Sequence, residues 1–267
     1  MPTYNRASII EIAIKSIIKQ KKYNSKLELI IGDDGNDLTE KVVNKYLNSP
    51  IKIIYQKFER IPLSDKINKL IKLSSGEFYG IVGSDDIQSP YKISAFEKSL
   101  KDFPNAQVFG QKKFIYHDII YQNSTLWTQN RNLDFFKAGS FVIINRKIFD
   151  KINGYESGLW RKIDNSFYKK IKHLGIKIAD VESSTPDVIY SSIALQHIDN
   201  IWNRNKKGLN TNKSVQLASF YSQPIKLNLE KIIPELFEDY KQVRKDIIYR
   251  YKKQYPIKYF IRKFLKL

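Results

Sequence analysis

"FYGIVGSDD", Phe78 to Asp86, is an apolar run that halts at two adjacent carboxylates, Asp85 and Asp86, in a chain whose formal net charge is +19. It reads as a strand, and the residues from about Pro90 to Lys101 read as the helix that follows it. The same order occurs twice upstream. "LELIIGDDG" reads as a strand from Leu27 to Ile31 that ends at Gly32 and a first carboxylate pair, Asp33 and Asp34, before a helical stretch from Leu38 to Leu47. "IKIIYQ" reads as another strand, followed by a helix over Ser64 to Leu73 that the turn "SSG" closes. Ahead of these, Ile9, Ile10, Ala13, Ile14, Ile17 and Ile18 recur at helical spacing, with Ser8 placed as an N-cap. Strands alternating with helices imply an α/β fold with a mostly parallel central sheet flanked by helices. Such sheets bind ligands beyond the carboxyl ends of their strands, where both carboxylate pairs fall.

The length of 267 residues accommodates one domain of about 200 residues with an appendage. Hydrophobic residues at 42% beside 27% charged exclude a disordered chain. With no cysteine, disulfides, thiolate zinc sites and cysteine nucleophiles are excluded, and a reducing compartment, the cytoplasm, is expected. "MPTYNRASII" lacks the pattern of a signal peptide, and no run of about 18 apolar residues is present to span a bilayer.

Beyond residue 105 the pattern shifts to shorter β-like runs, "AQVFGQKKFIYH" and "AGSFVIINRKIFD", and then to a helix over about Ile163 to Leu174. "NRNKKGLNTNKS" reads as a mobile loop, with helices expected after it. We therefore divide the chain into residues 1–200 and a basic, mainly helical extension, residues 201–267. The extension holds 16 Lys+Arg against 5 Asp+Glu, which is +11 of the total +19. Such a bias suits an anionic partner, with lipid headgroups, nucleic acid and phosphorylated substrates all open, and a coding bias toward Lys, Ile, Asn and Tyr is the plainer source. In "YPIKYFIRKFLKL", Ile257, Phe260, Ile261, Phe264 and Leu265 repeat at helical spacing with Lys258, Arg262, Lys263 and Lys266 between them. This describes either an in-plane membrane helix or a terminal helix packed on its own domain.

Side chains alternate along a strand, so Asp85 and Asp86 point in opposite directions and can serve different parts of one ligand. Mg2+ or Mn2+ takes oxygen ligands and is commonly held by one or two carboxylates together with substrate phosphates. A solvated turn, or a cap for the helix after "QSP", is the other reading.

Taken together, "MPTYNR", "ELIIGDDGND", "NKLIKLSSGEFYGIVGSDD" and "FVIINRKIFDKINGY" resemble, in order and spacing, the family-2 glycosyltransferases of the GT-A fold, over roughly residues 1–200. The resemblance implies an inverting, metal-dependent transfer of a sugar from a nucleotide-diphosphate donor, commonly a UDP-sugar, to a hydroxyl of a glycan or lipid-linked saccharide. Surface polysaccharide synthesis, at the inner face of a membrane, is the implied setting. Matched position by position, Pro2, Thr3 and Tyr4 would cup the base and Asp34 would accept from its NH. Lys66 would lie near the phosphates, Asp85 would face the ribose or sugar, and Asp86 would ligate Mn2+ or Mg2+. His197 would reach the metal or a phosphate, with a structural role as its alternative. Asp164, in "INGYESGLWRKIDNSF", stands where the family places its general base, although Ile163 replaces the usual Glu before it; a helix cap is its alternative. The family also has a short apolar strand before the PTYNR-like turn. This chain starts inside that turn, and an unfilled slot would leave the neighbouring strand with an open edge.

Three other classes compete. A sugar-nucleotide pyrophosphorylase should carry a Gly-rich, Arg-containing loop early, and "PTYNRAS" has no glycine. A nucleic-acid-binding module would fit the pI of 9.7 with 17 Tyr and 15 Phe, but those aromatics lie in apolar segments and no binding motif accompanies them, so no nucleic-acid partner is expected. An inactive GT-A-fold protein is the remaining alternative.

Overall fold

The strand of the first carboxylate pair lies at the centre of a parallel ribbon. The computed structural model describes residues 1–129, 142–181, 192–197 and 220–256. In it β2 (Glu28–Asp33) pairs in parallel with β1 (Pro2–Thr3) on one side and β3 (Lys52–Lys57) on the other. Every β2 residue after Glu28 is buried, as a continuous apolar run in a covered parallel strand requires. Residues Met1 to Thr3 occupy the slot beside β2 that the sequence left in question: Gly32 donates its backbone N–H to Met1 at 3.0 Å, and Pro2 and Thr3 lie opposite Gly32 and Asp33.

A second sheet has the order β10 (Ala179–Asp180), β6 (Val108–Gly110), β9 (Val142–Asn145), β4 (Phe78–Gly80). A third has the order β12 (Phe220–Ile225), β8 (Ser124–Gln129), β7 (Lys113–Asp118), β11 (Ser192–Gln196), β5 (Asp86–Gln88). Parallel and antiparallel pairs mix in both. The helices are α1 (Ile10–Ile18), α2 (Thr39–Asn44), α3 (Leu63–Leu73), α4 (Lys92–Asp102), α5 (Arg146–Lys151), α6 (Ile163–His173), α7 (Leu229–Ile232) and α8 (Phe237–Gln254).

Helix α1 explains its own composition. Ile10, Ala13, Ile14 and Ile17 pack into the core of the first sheet with Leu29, Ile31 and Ile53. Ile9 and Ile12 pack instead against Ile87, Ile115, Ile193 and Leu195 of the third sheet. A helix wedged between two sheets needs apolar residues on both flanks, which is wider than the single stripe of a surface helix. Its buried Ser16 accepts from the backbone N–H of Gln88 at 3.1 Å, tying α1 to β5.

Two local expectations are corrected. "FYGIVGSDD" is not one strand: β4 ends at Gly80, and Asp86 opens β5, which pairs with β11 rather than with β4 or β9. Gly83 makes the intervening turn possible, because a Cβ there would meet Asp86 Oδ2 at 2.5 Å. Ser8 does not cap α1, whose N-cap position is Ile9; its hydroxyl accepts from Arg250 of α8 at 2.7 Å.

Part of the extension is built into the rest of the molecule. β12 pairs with β8 along its whole length, and Leu229, Ile233, Leu236, Tyr240, Val243 and Ile247 share the core of the third sheet with Ile9 and Ile12. Behind that sheet His117 is buried, with its ring nitrogens 2.8 Å from the Ser124 hydroxyl and 2.7 Å from the Tyr240 hydroxyl. Burial first, and then the charge of Arg244, pull the His117 imidazole down to about 4. The expected mobile loop, residues 203–214, and the amphipathic tail, residues 257–267, lie outside the described residues. Among the described residues no helix is long and apolar enough to cross a membrane.

Candidate active site

Charged residues gather in two groups, one just beyond the carboxyl end of β2 and one in the turn that leads from β4 into β5. The first forms around the β2 carboxylates. Asp33 is fully buried and accepts from the Gly35 backbone at 2.8 Å, the Tyr55 hydroxyl at 2.9 Å and the Lys57 ammonium at 3.0 Å. These bonds make Asp33 a structural anchor for the turn. Asp34 turns the other way. Its carboxylate accepts from Arg60 at 2.6 Å and from the buried ammonium of Lys66, which also donates to the Thr3 carbonyl at 2.8 Å.

The PTYN turn closes over this group. Asn5 sits in the left-handed region (φ +53) and its side chain accepts from the Asn36 backbone at 2.8 Å. Gly35 permits the approach, since a Cβ there would lie 2.5 Å from the Asn5 backbone nitrogen. The Arg60 guanidinium lies 3.8 Å from the Tyr4 ring centroid and 4.6 Å from that of Trp160, a cation held between two aromatic faces. Thus Thr3, Tyr4, Asp34 and Lys66 are brought together, with Pro2 pairing beside them. Lys66, expected near the phosphates, has its ammonium on Asp34 and Thr3 instead. Burial lowers the Lys66 pKa, with Asp34 opposing the shift.

The second group forms where β5 begins. Asp85 Oδ2 lies 3.2 Å from His197 Nε2 and 3.6 Å from the Arg6 guanidinium. Burial opposes its charge, but the His197 hydrogen bond and Arg6 outweigh burial and hold the Asp85 carboxyl below its usual range. Asp86 is in the opposite situation. Burial first, and then the charge of Asp85, push its carboxyl up to about 7 against the pull of Lys92. Burial brings Lys92 itself down to about 8, with Asp86 opposing. His197, expected to share a metal with Asp86, reaches Asp85.

Among the described residues no group of three or more His, Cys, Asp and Glu side chains forms a ready-made metal cluster. The adjacent carboxylates still suit a hard divalent cation. One of them, Asp86, is pushed toward protonation by burial and by Asp85, and Mg2+ or Mn2+ ordinarily completes its shell with substrate oxygens.

Asp164 occupies the first turn of α6 and is half-buried. The cap reading does not hold, because Lys162 takes the N-cap position with φ +59. Helix α3 fixes the approach to Asp164. Asn68 accepts from the Tyr155 N–H and donates to the Tyr155 carbonyl, both at 2.9 Å. Asp65 accepts from Ser157 and Gly158, and Ser64 from Leu159. The helix that places Lys66 on Asp34 therefore also places the loop leading to Asp164.

Sequence reasoning assigned no role to Arg6, Arg60, Tyr116 or Trp160. Arg60 and Trp160 lie in loops, and only folding brings them to Tyr4. The Arg60 position did carry a signal, as a cation just past a strand at the carboxyl edge.

Comparison with known proteins agrees with this geometry. Residues 1–155 match the model of the family "Glycosyl transferase family 2". A Mycoplasma genitalium protein described as an uncharacterised glycosyltransferase is 28% identical over 216 residues, covering 78% of this chain and 66% of the relative. The Escherichia coli UDP-Glc:alpha-D-GlcNAc-diphosphoundecaprenol beta-1,3-glucosyltransferase is 33% identical over 93 residues, 35% of this chain and 36% of the relative. Among solved structures, S. aureus TarS 1-349 in complex with UDP-GlcNAc has a TM-score of 0.57 at 16% identity, covering 78% of this chain and 60% of that one. A Pyrobaculum calidifontis mannosyltransferase in complex with GDP-Man and Mn2+ has a TM-score of 0.53 at 17% identity, covering 75% and 56%. The chain thus spans less than two thirds of the length of each of these relatives. With the family model covering more than half of its residues and the GT-A architecture shared with these structures, the chain belongs to the family-2 glycosyltransferases.

Proposed function

We propose that this chain transfers a sugar from a nucleotide-diphosphate donor, a UDP-sugar in the first instance, to a hydroxyl of a glycan or lipid-linked saccharide, with inversion at the anomeric carbon. The observation that carries this reading is the pair of charged groups at the end of β2 and the start of β5: Asp34 beside Tyr4, and Asp85 with Asp86, joined by the single turn from Thr3 to Arg6. Residues 1–200 would hold donor and catalytic groups, with 201–267 as the supporting extension. The relatives lend support, since TarS has been seen with UDP-GlcNAc and UDP, and the mannosyltransferase with GDP-Man and Mn2+.

Tyr4 and the Pro2–Thr3 backbone cup the base, and Asp34 accepts from its NH once Arg60 moves aside. Lys66 pairs with the Asp34 carboxylate in its buried position. Asp86, with Asp85 and His197 beside it, would hold Mn2+ or Mg2+, which when bound offsets the charge of the donor diphosphate. Asp164 takes the proton of the acceptor hydroxyl while that oxygen bonds to the anomeric carbon, and the bond to the diphosphate breaks on the opposite side. A single displacement of this kind inverts configuration. The basic residues of 257–267 would hold the enzyme at an anionic membrane surface, where each adds roughly 1 kcal/mol.

A thermal-shift panel of UDP, GDP, CDP and dTDP, first with Mn2+ and then with EDTA, tests the reading. Stabilisation by one nucleotide only with metal is expected. Equal shifts in EDTA would remove the metal role, and no shift with any nucleotide would refute donor binding.

A further inference from the structure

The face of the third sheet that points away from α1 and α8 presents a row of residues in register. Asp86 of β5 lies opposite Ala194 of β11, and Ala194 lies opposite Tyr116 of β7. Partners in register project from the same face, and strands about 4.8 Å apart put Tyr116 roughly 10 Å from Asp86, backbone to backbone. The residue between them on β11 is alanine, so that strand places only a methyl group between the two positions. The neighbouring positions Ile87, Ile115 and Ile193 face the opposite way, into the core with Ile9 and Ile12. The Tyr116 ring is braced edge-on by Phe114 at 5.2 Å and by Trp127 at 5.3 Å.

Three carboxylates act on this phenol. Burial first, and then the charges of Asp86, Asp164 and Asp85 in that order, raise it above its ordinary value. Tyr155 and Tyr168 lie near the same helix, and of these three carboxylates only Asp164 acts on them. The register places Tyr116 on the same sheet face as Asp86, one strand removed from the proposed donor end, and the Asp164 carboxylate also acts on its phenol. A hydroxyl held protonated there can donate.

Building on the glycosyltransferase reading above, we propose that Tyr116 is an acceptor-binding residue whose hydroxyl donates a hydrogen bond to the attacking oxygen and aligns it with Asp164. The oxygen gives its proton to Asp164, uses one lone pair to bond to the anomeric carbon, and accepts from Tyr116 with the other. The diphosphate leaves with the electrons of the bond that breaks, and Tyr116 keeps its proton throughout.

The test uses the full chain with Mn2+ and UDP-glucose, UDP-GlcNAc, UDP-galactose and GDP-mannose in turn, water acting as acceptor and nucleotide release as the readout. Tyr116→Phe keeps the ring and its packing. Its kcat for release is expected to fall roughly 10- to 100-fold, the range of a lost positioning hydrogen bond, with nucleotide-diphosphate affinity changed less than about twofold. Combined with Asp164→Asn, the two losses should be less than multiplicative, because both residues act on one oxygen. An unchanged kcat, or a loss matched by equal losses of nucleotide affinity and melting temperature, overturns the inference while leaving the glycosyltransferase reading in place. No release by the unmodified chain with any of the four donors overturns both.

Discussion

The charged groups at the end of β2 and at the start of β5 differ in how their carboxylates are balanced. Asp34 is supplied with cations by the protein itself, Lys66 from below and Arg60 from the side. Asp86 is balanced less well: burial and its own neighbour Asp85 push its carboxyl up, Lys92 pulls against them, and the Arg6 and His197 groups are turned toward Asp85. One end is paired with two cations at hydrogen-bonding distance, and at the other Lys92 only partly offsets burial and Asp85. The same residue type thereby does different work at the two ends, and substitutions should separate them by the sign of their effect.

The largest difference is expected in stability. Asp34→Ala leaves the Lys66 ammonium buried without its carboxylate, and breaking such a pair costs about 3–5 kcal/mol. Urea unfolding would show it as a lower midpoint at unchanged slope. Asp86→Asn should move the metal-free protein the other way. Its folded pKa of about 7 stands above the ordinary 3.8, so the native state keeps a proton that the unfolded state releases. Stability is then lost as pH rises through that window, and at pH 8 the Asn variant should be more stable by on the order of 2 kcal/mol. Equal destabilisation by both substitutions would erase the contrast.

The next effect concerns pH. A cation must displace the Asp86 proton, so metal-dependent nucleotide affinity should rise about tenfold per unit up to pH of about 7 and level off above it. Calorimetric titration between pH 5 and 8 checks this. A flat profile would assign the metal to ligands that do not titrate there.

Opposite the site, the buried His117 sharpens the comparison by showing the reverse sign. Its folded pKa of about 4 lies below the ordinary 6.5, so its contribution is present above pH 6.5 and lost as pH falls toward 4. Acid should therefore loosen α8 through the His117–Tyr240 bond, and His117→Gln should flatten stability between pH 6.5 and 4 in circular dichroism melts. The smallest effect belongs to Arg60→Ala. Its ion pair and ring contacts are half exposed, worth about 1 kcal/mol, so nucleotide affinity should change by less than about tenfold and without altered metal dependence.

How much of this could be read in advance follows from distance along the chain. β2 and its carboxylates were legible because a buried parallel strand is a continuous apolar run with its ligand-facing residues just beyond. Helix α1 was legible by period, but its unusually wide apolar surface became intelligible only when two sheets were seen to flank it. The break at Gly80 was not legible, since "FYGIVG" fits one long strand as well as a short strand and a turn. Only the pairing of Asp86 with Ala194, more than a hundred residues away, decides between them. Lys66 could be matched to a position but not to a partner, because the ammonium follows α3 down to Asp34. Arg60, Trp160 and Tyr116 are ordinary residues in their local sequence, and their meaning comes from neighbours supplied by other elements.

The central claim is that the Asp85–Asp86 end binds a cation together with the donor diphosphate, while the Asp34 end needs none. It is tested most directly by titrating Mn2+, followed by electron paramagnetic resonance, into the unmodified chain and the Asp86→Asn variant with and without UDP. The account predicts Mn2+ binding that UDP tightens in the unmodified chain and that Asp86→Asn abolishes. Equal Mn2+ binding by the variant, or UDP binding that is indifferent to Mn2+, would contradict it.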